Sequence, residues 1–118
     1  MMNGKEVKVL LIGTGAVGSV IATKLIQQKN ISYIICADKK MIRNVPKTTK
    51  VQYLQLDASQ IKEVAAAAKK TNIIINASLP NYNIPIMKAA LTAGVHYQDL
   101  CSHLLNLKTP EQLQFHMK

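Results

Sequence analysis

The chain has 118 residues, 48% of them hydrophobic and 4% aromatic, and a formal net charge of +9 from fifteen Lys and Arg against six Asp and Glu. That length supports one domain with a genuine core, and no apolar stretch is long enough for a membrane span or resembles a signal peptide. The cations are scattered, in pairs no longer than Lys39-Lys40 and Lys69-Lys70, with no aromatic RNA-binding motif or recognition-helix pattern beside them, which argues against nucleic-acid binding as the main function.

Val7-Lys8-Val9-Leu10-Leu11-Ile12 is an apolar run that predicts a buried strand, and it leads directly into Gly13-Thr14-Gly15-Ala16-Val17-Gly18. A strand followed by Gly-x-Gly-x-x-Gly and a helix is the dinucleotide-binding fingerprint in its full context. Gly13 permits the tight turn, Gly15 keeps side chain away from a pyrophosphate, and Gly18 lets the helix press onto the strand. The phosphates then rest on the helix N-terminus, where unpaired N–H groups and the helix dipole favour negative charge. Val17, Val20, Ile21 and Leu25 recur at helical spacing and are expected to form its core face.

Ser32 to Ala37 predicts a second strand, with Asp38 at its carboxyl end, where a carboxylate can accept hydrogen bonds from both ribose hydroxyls of an adenosine. Such a carboxylate repels a 2′-phosphate, while Lys39, Lys40 and Arg43 could hold one; the acid at the fingerprint position favours NAD, with NADP as the alternative. Residues 39–50 are irregular, with at most one helical turn around Met41-Ile42 before Pro46. Val51 to Leu56 predicts a third strand. Asp57-Ala58-Ser59 then opens a helix with Ile61, Val64, Ala65 and Ala68 on its apolar face, Asp57 either capping it or touching the adenine.

Asn72 to Ala77 reads as a fourth strand covered on both faces and broken by Ser78-Leu79-Pro80. A helix carrying Ile86, Ala89, Ala90 and Ala93 follows, closed by Gly94, and Val95 to Leu100 supplies the fifth strand. The alternation predicts an α/β, Rossmann-type doubly wound parallel sheet of order 3-2-1-4-5 in a single domain, with ligands across its carboxyl edge.

The Asn-Ala strand end, Pro80, and Ala89-Ala90-Leu91-Thr92-Ala93-Gly94-Val95-His96-Tyr97-Gln98-Asp99, together with the glycine motif, resemble the N-terminal cofactor domain of the saccharopine dehydrogenase family over about residues 7 to 101. That resemblance implies an NAD(P)-dependent oxidoreductase that makes or cleaves secondary amines by hydride transfer to or from an imine carbon. It assigns Gly13, Gly15, Ala16, Val17 and Gly18, with Thr14 between them, to the pyrophosphate loop. Asp38 and Lys39 then go to the ribose, Asp57 and Ala58 to the adenine, and Ala77, Ser78 and Pro80 to the nicotinamide ribose. Asp99, near the end of the fifth strand, is the substrate-side candidate. The segment after Asp38 is shorter than the family's helix, and the large substrate domain is absent. Residues 1–118 therefore read as the N-terminal fragment of a longer dehydrogenase, inactive alone, whose small amino-acid-type substrate is held by the missing domain; homo-oligomeric assembly stays open. Thr109-Pro110-Glu111 starts one more helix.

Other chemistries fit less well. No Tyr is followed by Lys at the fourth position, as a short-chain dehydrogenase requires. A Cys–His pair is unsupported, because His96 begins the fifth strand and lies roughly 17 Å from Cys101 at about 3.3 Å per residue. Cys36, Cys101 and the histidines, His96, His103 and His116, have no metal-ligand spacing, so no metal is expected, and two reduced thiols suit a cytoplasmic protein. A stand-alone nucleotide-sensing domain of the potassium-transport type shares the glycine motif and the acid, but not Pro80 or the Ala89 to Asp99 run.

Overall fold

The computed structural model describes residues 6–100; the helix expected from Thr109, and Cys101, His103 and His116, lie outside the described residues. Five strands, β1 (Val7–Ile12), β2 (Ile31–Asp38), β3 (Val51–Gln55), β4 (Ile73–Asn76) and β5 (His96–Asp99), pair in parallel in the order β3-β2-β1-β4-β5. Helix α1 (Ala16–Ile26) follows β1, α2 (Ile61–Ala68) follows β3, and α3 (Asn83–Ala93) follows β4 after a single 3-10 turn at Pro80–Tyr82. This is the expected Rossmann-type arrangement.

Side chains along a strand alternate between faces, so the unbroken apolar run of β1 serves two cores. Leu10 and Ile12 join Ile35 and Ile74 against Val64 and Ala68 of α2 and Ile86, Ala89 and Ala90 of α3. Val9 and Leu11 join Ile34 and Cys36 on the opposite face, with Ala22 of α1. No helix follows β2, and the turn expected around Met41-Ile42 does not form. In its place Val45 is inserted into the α1-side core, and the Tyr53 hydroxyl donates to the Val45 carbonyl. Lys50 Nζ donates to the carbonyls of Ile26 and Gln28 at 2.8 and 2.7 Å, placing a cation at the C-terminus of α1, where the helix dipole favours it.

Two expectations need correction. Val17 and Val20 were expected on the core face of α1, yet they are 59% and 54% exposed, and the buried residues are Gly18 and Ala22. The reason is steric: a Cβ on Gly18 would lie 1.9 Å from the Gly13 carbonyl oxygen, so the helix meets the turn backbone to backbone and must turn its smallest residues inward. Asp57 does not cap α2, whose N-cap is Gln60 with no side-chain cap bond. The Asp57 carboxylate closes a local turn instead, accepting from Ser59 N–H and Oγ at 2.9 and 2.7 Å, a bond pattern that competes with capping.

Gly13 is equally constrained. Its φ is +96°, and a Cβ there would approach Ser78 N to 2.7 Å and the Ala77 carbonyl carbon to 2.8 Å. Gly94, at φ +74°, ends α3 as expected, its N–H bonding Ala90 O at 2.9 Å. Gly18→Ala is therefore expected to cost at least as much as Ile74→Ala, about 2–5 kcal/mol for a buried isoleucine. Gly15→Ala, whose Cβ meets nothing within 4 Å, should stay within about 1 kcal/mol of the parent. Urea unfolding of the three variants checks the ranking.

Candidate functional site

The crevice opens at the carboxyl edge of the sheet, where β1 stops between its neighbours. Gly13 N–H donates to Ala37 O at 2.8 Å and Ala77 N–H to Ile12 O at 2.7 Å, so the ladder is continuous up to the mouth on both sides. Gly15 is the N-cap of α1, in extended conformation and without a side-chain cap. A Cβ on Gly15 faces open space, so the backbone at the helix N-terminus is unobstructed there. Uncapped N–H groups at the positive end of a helix beside such a space suit a pyrophosphate. The residues present thus fit a dinucleotide. Val17, exposed in the first helical turn, and Ala16 border the same space by position.

One wall carries the acids. Asp38 Oδ2 accepts from both the N–H and the hydroxyl of Thr14, each at 2.8 Å, and Oδ1 accepts from Lys40 N–H at 3.2 Å. Burial acts to raise the Asp38 carboxyl, but the bonds from Thr14 and from the Lys40 and Lys39 N–H groups outweigh it and hold the group below the usual carboxylate range. Lys39, Leu56, Asp57 and Ala58 line the crevice beside Asp38. The two hydrogen bonds from Ser59 likewise hold Asp57 low, with a smaller contribution from the charge of Lys39. Lys40 lines a separate shallow cavity with Met41, Ile42 and Tyr53 at the β3 edge, and Arg43 is exposed on the same loop.

The opposite wall is the turn after β4. Ser78 N–H and Oγ both donate to Asn76 Oδ1, the N–H at 2.9 Å. Asn76 Nδ2 donates to Asn83 Oδ1 at 2.5 Å, and the Tyr97 hydroxyl donates to the same oxygen at 2.9 Å. Asn76 and Asn83 are each 1% exposed. Burial, with the Asp99 carboxylate bonded beside it, pushes the Tyr97 hydroxyl far above the ordinary phenol range, so it stays a donor. Asp99 pairs in register with Asn76 and is buried, engaged with Tyr97. Ser78 and Tyr82 line the crevice, Pro80 begins the 3-10 turn, and Leu79 is 63% exposed.

Gly13, Asp38, Lys39, Asp57, Ala58 and Ser78 are therefore brought together around one opening. Asn83 and Tyr82 were not anticipated. Tyr97 was legible only as part of the Gly94 to Asp99 run, and Asn83 carries no local signal, because its role depends on the pairing of β4 with β5. Cys36, between β1 and β3, is buried and its thiol is pushed up to about 11 by burial, an inert packing group.

The model of the saccharopine dehydrogenase NADP-binding domain matches residues 9–117. The carboxyaminopropylagmatine dehydrogenase of Synechocystis sp. is 30% identical over 103 residues, covering 81% of this chain and 26% of that protein. The apo saccharopine dehydrogenase (L-Glu forming) of Saccharomyces cerevisiae superposes with a TM-score of 0.75 at 14% identity, over 92% of this chain and 23% of that one. An oxidoreductase from Lactococcus lactis shares the fold with a TM-score of 0.68 at 22% identity, over 86% of this chain and 52% of its own. The chain thus spans about a quarter of the length of the first two.

The polar knot at β4 and β5 makes a testable claim on stability. Tyr97→Phe removes the hydroxyl shared by Asn83 and Asp99 and is expected to cost about 1–3 kcal/mol, the scale for leaving buried polar groups short of a partner. Tyr33→Phe, which breaks only an exposed bond to Gln52, should stay within about 0.5 kcal/mol. Denaturant melts of the two variants measure the difference.

Proposed function

The chain belongs to the saccharopine dehydrogenase family, and we propose that it is the domain that holds NADP(H) in an oxidoreductase working on the C–N bond of an amino-acid or polyamine adduct. The observation that carries this reading is the open space before Gly15 at the uncapped N-terminus of α1, with the preceding Thr14 bonded to Asp38. Bound there, the dinucleotide supplies or accepts the hydride. The chain's own residues bind and orient it. The first turn of α1 takes the pyrophosphate, Asp38 and Lys39 flank the adenosine ribose, and Asp57 and Ala58 border the adenine. Asn76 holds Ser78 where the nicotinamide half passes, ahead of Pro80.

NADP is the cofactor we assign, where Asp38 alone favours NAD. The family model that matches the chain is that of an NADP-binding domain, and both oxygens of Asp38 already accept bonds from the protein. The Synechocystis relative is named for carboxyaminopropylagmatine, and we assign this chain the same substrate class, an amine bearing a carboxylate. Asp99 with Tyr97 forms the substrate-facing edge. The other groups that position substrate belong to a further domain, so residues 1–118 form the dinucleotide domain of a longer enzyme. Among the described residues no helix is long and apolar enough to cross a membrane, and we assign the protein to the cytoplasm. A nucleotide sensor is less favoured, since the matching family is one of dehydrogenases.

Calorimetric titration of the 118-residue chain is expected to show binding of NADPH more tightly than NADH. Gly15→Val should abolish both by filling the space before Gly15 while the chain stays folded. A folded chain that binds neither dinucleotide refutes the assignment. Mixed with NADP and saccharopine-like adducts, the chain alone should produce no NADPH absorbance, since hydride transfer needs both partners held; turnover lost in Asp99→Ala would place the catalytic groups within these residues.

A further inference from the structure

Thr14 stands second in the glycine motif, where its side chain would be expected to border the phosphates, yet it is 6% exposed and its hydroxyl is directed at Asp38. We propose that Thr14 is a positioning residue for cofactor choice: it fastens Asp38 to the glycine loop, which leaves the ribose 2′ position to the cation of Lys39, which lines the same crevice. The inference rests on the NADP reading above.

An aspartate that can turn its carboxylate outward accepts hydrogen bonds from a 2′-hydroxyl and repels a 2′-phosphate. Here Oδ2 is taken by two donors of one residue, at 2.8 Å each, and Oδ1 by the Lys40 N–H at 3.2 Å. Two bonds converging on one oxygen fix the carboxylate's direction, and donation to an ionised acceptor makes each bond a strong one. The buried hydroxyl of Thr14 has no solvent to turn to, so removing Asp38 from it would strand a polar group. Lys39 and Lys40 follow at once, both exposed, at the end of the same strand. A 2′-phosphate bound there meets the Lys39 cation on one side and, on the other, a carboxylate that stays ionised but is held toward Thr14 and away from the phosphate.

The test is the ratio of NADH to NADPH dissociation constants, read by fluorescence titration of the folded chain. Wild type should favour NADPH. Thr14→Val removes the hydroxyl at constant shape and, with only backbone N–H bonds left on Asp38, loosens the carboxylate toward the ribose, so the ratio should fall about fivefold or more, the effect of losing one charge-assisted bond. Thr14→Ser should restore it. In an Asp38→Ala background Thr14→Val should no longer alter the ratio, because the residue acts only through Asp38. Thr14→Ala takes the place of the valine variant under the same criterion if valine prevents folding. A valine variant that binds both cofactors with the ratio within about twofold of wild type overturns the proposal, as does a shift that persists without Asp38. Wild type binding neither dinucleotide refutes the NADP-domain reading itself.

Discussion

Three stretches of chain meet at close range: the turn at Gly13, the first turn of α1 at Gly18, and the strand end at Ala77-Ser78. The 1.9 Å that would separate a Gly18 Cβ from the Gly13 carbonyl, and the 2.7 Å between a Gly13 Cβ and Ser78 N, show that neither position admits a side chain without moving a backbone. This close meeting aims α1 at the carboxyl edge of the sheet and brings the β4 turn to the same opening. It also settles which face of α1 is buried. Once Gly18 touches the turn, Ala22 one helical repeat later faces β1 and β2, and Val17 and Val20 must point away. Gly15 belongs to the same motif for the opposite reason, with empty space before it.

The asymmetry of the two cores shapes the crevice as well. Helices α2 and α3 cover one face with small residues, Ala65, Ala68, Ala89 and Ala90, which let them pack closely on the sheet and on each other. The other face has α1 and then only a loop, with Val45 filling part of the space that a helix after β2 would occupy. A loop leaves its polar ends at the rim. Lys39, Lys40 and Arg43 are consequently exposed on the segment that follows Asp38 instead of being folded along a helix surface, which puts three cations of an otherwise scattered set on that loop.

Much of this was legible in the sequence wherever a signal was local. The buried run Val7 to Ile12, the glycine motif, the acid at Asp38 and the Gly94 stop each depend on residues adjacent in the chain, and the alternation of elements then leaves a single economical sheet order. The departures occur where distant segments decide. Helical spacing picked Val17 and Val20 for the core because apolarity was the only guide, whereas the contact with Gly13 overrides it. Capping was one of two readings of Asp57, beside contact with the adenine, because it precedes a helix, but Ser59 lies closer than the helix N-terminus and takes its carboxylate first. The burial of Asp99 arises from its pairing with Asn76, on a strand more than twenty residues earlier.

The acids at the rim share one device. Asp38 is held by Thr14 and the backbone, Asp57 by Ser59, and Asp99 engages the Tyr97 hydroxyl. Neutral donors stabilise the Asp38 and Asp57 carboxylates without cancelling the net charge of the surface, so one wall of the crevice keeps two anchored acids beside the exposed Lys39. The arrangement at β4 and β5 goes further, since Asn76 links Ser78 in the turn to Asn83 in α3, and Asn83 in turn accepts from Tyr97. Buried polar groups so connected cost more than an apolar core if any one link is lost. These bonds tie the geometry of the turn after β4 to α3 and, through Tyr97, to Asp99 on the next strand.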